Sequence, residues 1–436
     1  MLPGLTVPGS LAELLQGFRS CFRLRPFEVF CLLAVGMVTQ TGLCTVTGML
    51  TGAGMQTMIS HHRAHRFFSA HAWSADQLGL AMARLIVATL VPAGADLHLA
   101  VDDSLFRRRG AGVHGAFWTH DPSQPGQLTA RGNRWVIVGI VVALPFCSRP
   151  TCLPVLFRLW GGKGTTTPVE LARTLVGLLT RAFPDRAIHL VADAAYHGKP
   201  LQDLPARVTW TTRIQRNGVL YQPAPPPTGK RGRPRTKGDR IGTPAQAATG
   251  AAWHQAAVAR YGRAGTVRIA ESSASGTARS ANAPDGSSPR PRAPAGKAGS
   301  CCCSPPTWPP PPNSSSPATP PGGASRSPSK PPRGPWVSAR PATASKPPCS
   351  APSPFGMLTM SLVYCWYARY GHHPDDVTNR RAAAPWYTTK TEPSFADMLA
   401  KLRRTIIAAR FLPGCPAQPT LEQITAVHRA WASAAA

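Results

Sequence analysis

Three carboxylates stand where apolar, strand-like runs give out. Asp102 and Asp103 close the run "DLHLAVDDS", and Asp193 falls inside "AIHLVADAAYHGK". Ligand sites in α/β sheets form at the carboxyl ends of strands. Oxygen donors at such a place suit Mg2+, which prefers carboxylates and keeps several waters. Two such ions about 3.5–4 Å apart can activate an attacking oxygen and stabilise the leaving oxygen of a phosphodiester. The alternative is that Asp102 and Asp193 cap the turns after their strands, as Asp commonly does. Other residues offer less as metal ligands. His61, His62, His65 and His71 have no Cys or carboxylate partner at ligand spacing and read as helix-surface residues. The eleven cysteines include no repeated CxxC pair at zinc spacing and read as reduced thiols, so cofactor chemistry beyond Mg2+ has no support here.

The charge of the chain says what those carboxylates would act on. Over 436 residues, 48 Lys and Arg against 19 Asp and Glu give a formal charge of +29. A charge that large points to a polyanion, most often nucleic acid, with a merely basic protein as the bland alternative. Basic residues cluster in "PPPTGKRGRPRTKGDRIGTP", where Lys230, Arg231, Arg233, Arg235 and Lys237 are the candidate DNA contacts. The "RGRP" core resembles an AT-hook, whose Arg side chains enter a narrow minor groove. A basic loop gripping phosphates without sequence preference is the plainer reading. No signal peptide is evident, and the longest apolar runs are interrupted or too short to span a bilayer. A location in the cytoplasm beside the nucleoid is expected, with no membrane partner.

The elements that must position these residues follow from periodicity. Residues 1–95 read as a helical, DNA-binding region: "SLAELLQGFRSCF" has Ser10 with Glu13 in a capping-box pattern, and "SADQLGLAMARLIVATL" repeats apolar residues at helical spacing after a Ser74 or Asp76 cap. Between them, "MISHHRAHRFFSAHAW" is rich in His, Arg and aromatics and suits either DNA contact or a solvated helix face. From residue 96 to 271 the period changes. "RWVIVGIVVALPF" is a continuous apolar run, as in a central strand buried on both faces. "CLPVLFRLW" reads as the next strand, and "TPVELARTLVGLLTRAFP" as a helix opened by Thr167-Pro168 and closed before Pro184. "RVTWTTRIQ" and "GVLYQP" read as a further strand pair, and "GTVRIAE" as the start of another strand. Strands, a helix and another strand predict a mixed α/β sheet with helices packed on it. Residues 355–436 read as helical again, with a cap at Ser394 and a last helix over roughly 420–434.

"HLAVDDSLFRRRG", "NRWVIVGIVVALP" and "HLVADAAYHGK", taken in order, resemble the catalytic core of bacterial insertion-sequence transposases of the DDE superfamily, in the IS-four-like branch. The likeness extends to the helical N-terminal region, to the basic loop at 223–244 and to "YARYGHHPDDV…APWYTTKTEPSFADMLAKLRR". It implies an RNase H-like fold and two Mg2+ ions held by Asp, Asp and Glu. It also implies cut-and-paste movement of a DNA element between inverted repeats, with double-stranded DNA as partner and a homodimer on the DNA as one arrangement. The first Asp maps to Asp102, two residues before Ser104, with Asp103 as runner-up; the second maps to Asp193, with Tyr196 and His197 lining the site. The alternatives are a DNA-binding remnant without catalysis, which occupies element ends, and a host nuclease of the same fold.

The third acid has no match. The family carries it on a late helix, with Tyr, Arg, Glu and Lys at helical spacings. Its place falls in residues 272–354, a stretch without Leu, Ile, Met, Phe or Tyr, with Val337 as its only Val and Asp285 as its only acid. Such a composition cannot bury a core and reads as disordered. A natural linker would give it, and so would two compensating frameshifts in a GC-rich gene. The abrupt edges, after "VRIAES" and at "PFGML", favour the frameshifts. Translating the gene in all three frames across codons 265 to 360 is expected to reveal an apolar-periodic helix carrying Tyr, Arg, Glu and Lys in another frame. Absence of such a helix from every frame refutes that reading.

Overall fold

The computed structural model describes residues 5–411 except 43–44, 71–72, 111, 122–128, 197–198, 203, 216, 227–234, 236, 261–262, 271–274 and 277–351. The low-complexity stretch, the core of the basic loop and the last expected helix therefore lie outside the described residues, apart from a few positions at their edges.

In chain order the elements are α1 (Gly9–Gln16), α2 (Leu24–Thr39), α3 (Val46–Gly52), α4 (His61–Ser69) and α5 (Ala75–Leu90). Then come β1 (Leu97–Arg107), β2 (Phe117–His120), β3 (Thr129–Val142), β4 (Thr151–Trp160), α6 (Pro168–Ala182), β5 (Ile188–Ala192), α7 (Lys199–Gln202) and β6 (Val208–Thr212). β7 (Leu220–Tyr221), β8 (Arg240–Gly242), α8 (Pro244–Thr249), β9 (His254–Arg260), β10 (Arg263–Ile269) and β11 (Ser275–Gly276) follow. Last are α9 (Pro352–Trp366), a π turn at Tyr367–Gly371, α10 (Asp376–Ala383) and α11 (Phe395–Phe411). The chain divides into two compact units. One holds the described residues of Met1–Leu90, Leu105–Asn133 and Pro306–Ala436, the other those of Val91–Ser104 and Arg134–Pro305. None of the described helices is long and apolar enough to cross a membrane.

The first unit joins helices from both ends of the chain. α2 is buried almost all round, from Phe27 to Val38. The ring of Phe355, on α9, sits 6.0 Å from Phe30, 6.1 Å from Phe67 and 5.5 Å from Phe68. Arg403 of α11 is buried, and its Nε and Nη2 donate to the carbonyls of Val38 and Gln40 at 2.6 and 2.7 Å. These carbonyls end α2 and have no partner within the helix, so a guanidinium satisfies them. The expected Ser10 capping box is not formed: α1 starts at Gly9 behind Pro8, whose carbonyl accepts the first helical amides. Ser10 instead accepts a hydrogen bond from Trp366 Nε1 at 3.1 Å, and Glu13 pairs with Arg369 at 2.6 Å. Ser74 does cap α5, through the amide of Gln77.

The strands build the mixed sheet expected of an RNase H-like fold, in the order β2-β3-β1-β5-β6 with β4 also on β3. β3 and β4 pair antiparallel, while β5 pairs parallel with β1 and with β6. Val136, Ile137, Val138 and Ile140 of β3 are fully buried, as the continuous apolar run requires. α6 starts at the expected Thr167-Pro168 opening, where Thr167 and Glu170 form a capping box, and buries Leu175, Val176 and Leu179. The expected pairing of "RVTWTTRIQ" with "GVLYQP" is corrected: β6 joins the main sheet, whereas β7 pairs with β8, drawn from the end of the basic loop. β9 and β10 form a separate hairpin.

α2 and α3 approach closely at Gly36, where an added Cβ would lie 1.9 Å from the Met49 carbonyl oxygen. Backbone cannot yield as a side-chain end can. Gly36→Ala is therefore expected to destabilise the protein by about 3 kcal/mol or more. Gly9→Ala, where a Cβ meets nothing within 4 Å, is expected to change stability by less than about 0.5 kcal/mol. Thermal unfolding of the two variants followed by circular dichroism checks both; equal melting temperatures would refute the close approach.

Candidate active site

The parallel register of β1 and β5 runs Leu97↔Ile188, His98↔His189, Leu99↔Leu190, Ala100↔Val191 and Val101↔Ala192. One step further along each chain stand Asp102 and Asp193. Register partners on parallel strands share a face, and successive residues alternate faces. The register thus sets Asp102 and Asp193 side by side on the face that carries His98 and His189. Asp103 falls on the opposite face.

β1 does not end at these acids, as the sequence reading had it. It continues to Arg107: its pairing with β5 ends at Val101, and β3 is its neighbour on the other side. Gly132 allows that approach: a Cβ there would lie 2.3 Å from the Phe106 carbonyl oxygen.

Each acid is held differently. Asp102 Oδ1 accepts the Asp103 amide at 2.8 Å, and Oδ2 has no hydrogen-bond partner among the described residues. Asp193 Oδ1 accepts the amide of Ala195 at 2.8 Å, and its carbonyl accepts from the Thr212 hydroxyl and the Tyr196 amide. Asp193 thus closes the turn after β5 with one oxygen, so the turn-capping reading describes part of what it does. Asp103 is fully engaged: Oδ2 accepts from Arg134 Nε at 2.5 Å and Oδ1 from the hydroxyl of Tyr196 at 3.2 Å. Arg134 also lies 5.3 Å from the centre of the Trp160 ring. Tyr196 is fully buried, and burial together with the charges of Asp103 and Asp102 keeps its phenol protonated far above the ordinary range.

The electrostatics single out Asp102. Burial, chiefly, pushes its carboxyl up to about 6. The Asp103 amide works the other way, the charges of Asp103 and Asp193 add to the rise, and Arg134 offsets part of it. Cys152, at the start of β4, is pushed up to about 12 by burial and by the charge of Asp102, so it stays an inert thiol. Among the described residues no group of three His, Cys, Asp or Glu side chains is arranged to hold a metal ion.

The structure therefore brings Asp102 and Asp193 together, with Asp103 beside them but turned into its own network. Of the basic-loop candidates, Lys230, Arg231 and Arg233 lie outside the described residues. Arg235 is exposed, 3.8 Å from Asp239, and Lys237 stands 4.6 Å from the ring of Tyr221. Arg134 is not among the residues the sequence points to; its only local signal is a polar Asn133-Arg134 pair at the mouth of an apolar run. A family profile described as DDE superfamily endonuclease matches residues 14–275 of the chain. None of the curated proteins matches it.

The raised carboxyl has a signed consequence. Folded Asp102 holds its proton more tightly than an unfolded Asp of ordinary value near 3.8, so its contribution is favourable in acid and is lost as pH rises through about 6. A shift of roughly two units corresponds to on the order of 3 kcal/mol. Without divalent cations, Asp102→Asn is expected to raise the melting temperature at pH 8 and to leave it unchanged near pH 4. A variant no more stable than the parent at pH 8 would contradict a buried, repelled carboxylate at this position.

Proposed function

The chain belongs to the DDE superfamily of endonucleases, and from that premise we propose that it is an insertion-sequence transposase by descent, acting on the inverted-repeat ends of a DNA element. The observation that carries this reading is the register that sets Asp102 and Asp193 side by side past the last β1–β5 pair. Their chemistry fits divalent metal: two hard oxygen donors, one with a free carboxylate oxygen, in a place where burial and like charge call for a cation. Asp102 and Asp193 are the residues that would hold Mg2+, and Asp103 is left to the Arg134–Tyr196 network. When bound, Mg2+ would supply activation of an attacking oxygen and charge stabilisation at the leaving oxygen of a phosphodiester.

The chain's own residues do the rest. Arg134 and Tyr196 fix Asp103 and so the path of β1 through the site. The overall charge of +29 draws a polyanion to it. Arg235 and Lys237, with Lys230, Arg231 and Arg233 of the same loop, are proposed to grip the DNA backbone.

As written, the chain is proposed to bind DNA without cutting it. The family match stops at residue 275, three residues into the low-complexity stretch that begins at Ser272 and occupies the expected place of the third acid. That coincidence supports the frameshift reading. An alternative, a DNA-binding remnant that occupies element ends, describes the same chain as it now stands.

The test uses the purified chain, a duplex carrying the element's ends, and Mg2+ or Mn2+. Gel retardation of the duplex is expected, with no nicking. A chain rebuilt in the restored frame is expected to nick the ends in a metal-dependent way, and Asp193→Asn in that chain to lower the rate by at least about 1000-fold. Cleavage by the chain as written overturns its inactivity. A restored chain whose nicking survives Asp102→Asn and Asp193→Asn overturns the site.

A further inference from the structure

A second feature, within the helical unit, is independent of the carboxylates. A cavity of about 410 Å³ is lined by Arg25, Ser60, His62, Arg63 and Arg66. Arg25 lies at the start of α2, and the other four lie at the cap and along the first two turns of α4. Glu28 lies 3.9 Å from Arg63 Nη2, and three guanidiniums line the cavity. Arg25 and Arg66 have no ion-pair partner among the described residues. Ser60 caps α4, its hydroxyl accepting the amide of Arg63, which leaves the other early amides of the helix beside the cavity.

The arrangement has a physical oddity. Arg25, Arg63 and Arg66 come from two helices and converge on one concavity, although like charges gain by spreading over open surface. The helix dipole of α4 adds positive potential at the same end. His65, on the same helix, is pushed below its ordinary value by burial and by His61 and His62. Guanidinium forks match the oxygens of a phosphate in a planar, bidentate way, which ammonium groups do not.

We propose that this cavity is a phosphate-binding site, built by Arg25, Arg63 and Arg66 with Ser60 and His62 at its wall. The phosphate is a diester of the DNA backbone or a free phosphate; its assignment to DNA rests on the proposed function, the site itself does not. A backbone phosphate seated here positions the duplex without reading its sequence. The conversion of "HHRAHR" from a solvated helix face into a site comes from Arg25, thirty-five residues before Ser60 in the chain.

The test compares Arg25→Ala/Arg66→Ala with Lys163→Ala/Arg181→Ala, which removes the same charge from exposed positions elsewhere. Binding of a fluorescein-labelled duplex is followed by anisotropy across a salt series, and stabilisation by inorganic phosphate is followed by thermal shift. The cavity variant is expected to bind DNA about tenfold or more weakly and to lose about two from the slope of log affinity against log salt. The control is expected to lose less than half of that. If DNA binding is unaffected but the thermal shift with phosphate disappears, the source is free phosphate. Equal losses in both variants, or none in either assay, overturn the site. A chain that binds no DNA removes the DNA reading while the phosphate arm still decides the cavity. Arg25 and Arg66 are exposed, so truncation leaves the core intact; Arg25→Lys/Arg66→Lys, expected to recover part of the affinity, guards against a folding artefact.

Discussion

Everything proposed for the carboxylates depends on one backbone constraint, the parallel pairing of β1 with β5. Five consecutive register pairs tie Leu97–Val101 to Ile188–Ala192, two segments separated by roughly ninety residues of chain. Leu97, Leu99, Val101, Ile188, Leu190 and Ala192 are all buried, so one face of the pair is fixed in the core. A slip of one strand by one residue would turn that strand's three buried side chains outward. The same slip would carry Asp102 and Asp193 to different faces. The hydrophobic register is thus what holds two like charges together, and it does so against their repulsion.

That repulsion is concentrated on one side chain. Asp102 carries a raised pKa because it is buried and lies next to both other acids. Asp103 is held by a local device. Its two oxygens are taken by Arg134 and Tyr196, and the guanidinium is held in turn against Trp160. Charge-assisted bonds of this kind are short and roughly twice as strong as neutral ones. Adjacent acids on a strand therefore receive opposite treatment: one is paired by Arg134 and Tyr196, and the other keeps one oxygen without a hydrogen-bond partner among the described residues.

Much of this was legible in sequence, for reasons that differ from residue to residue. β3, β4 and β5 announced themselves as apolar runs, and α6 as a Thr-Pro opening followed by helical periodicity. Those signals are local, and local signals survive into the structure. The end of β1 was misplaced because Asp102, Asp103 and Ser104 look like a strand terminus, whereas pairing with β3 carries the strand on to Arg107. The pairing of β7 with β8 was missed because only three residues of the loop, Arg240–Gly242, take part. Ser10 offered a capping box, but Pro8 already fixes the start of α1 and the hydroxyl serves Trp366, 356 residues away. Arg134 could not be read as a partner of Asp103, since the two are 31 residues apart and belong to different strands.

The charge of the chain and the charge of the site pull in opposite directions, and the opposition is informative. A net +29 attracts a polyanion from any direction, yet Asp102 and Asp193 would repel each phosphate that came near them. Surface attraction alone would therefore bring a polyanion to the protein but not to the carboxylates. Only a cation between the acids and the phosphate resolves the conflict, and two carboxylates neutralise one divalent ion with nothing left for a second. A second ion would need negative charge from another source, the place that the family resemblance gives to a third acid. An ion held by Asp102 and Asp193 would turn their repulsion of a phosphate into attraction.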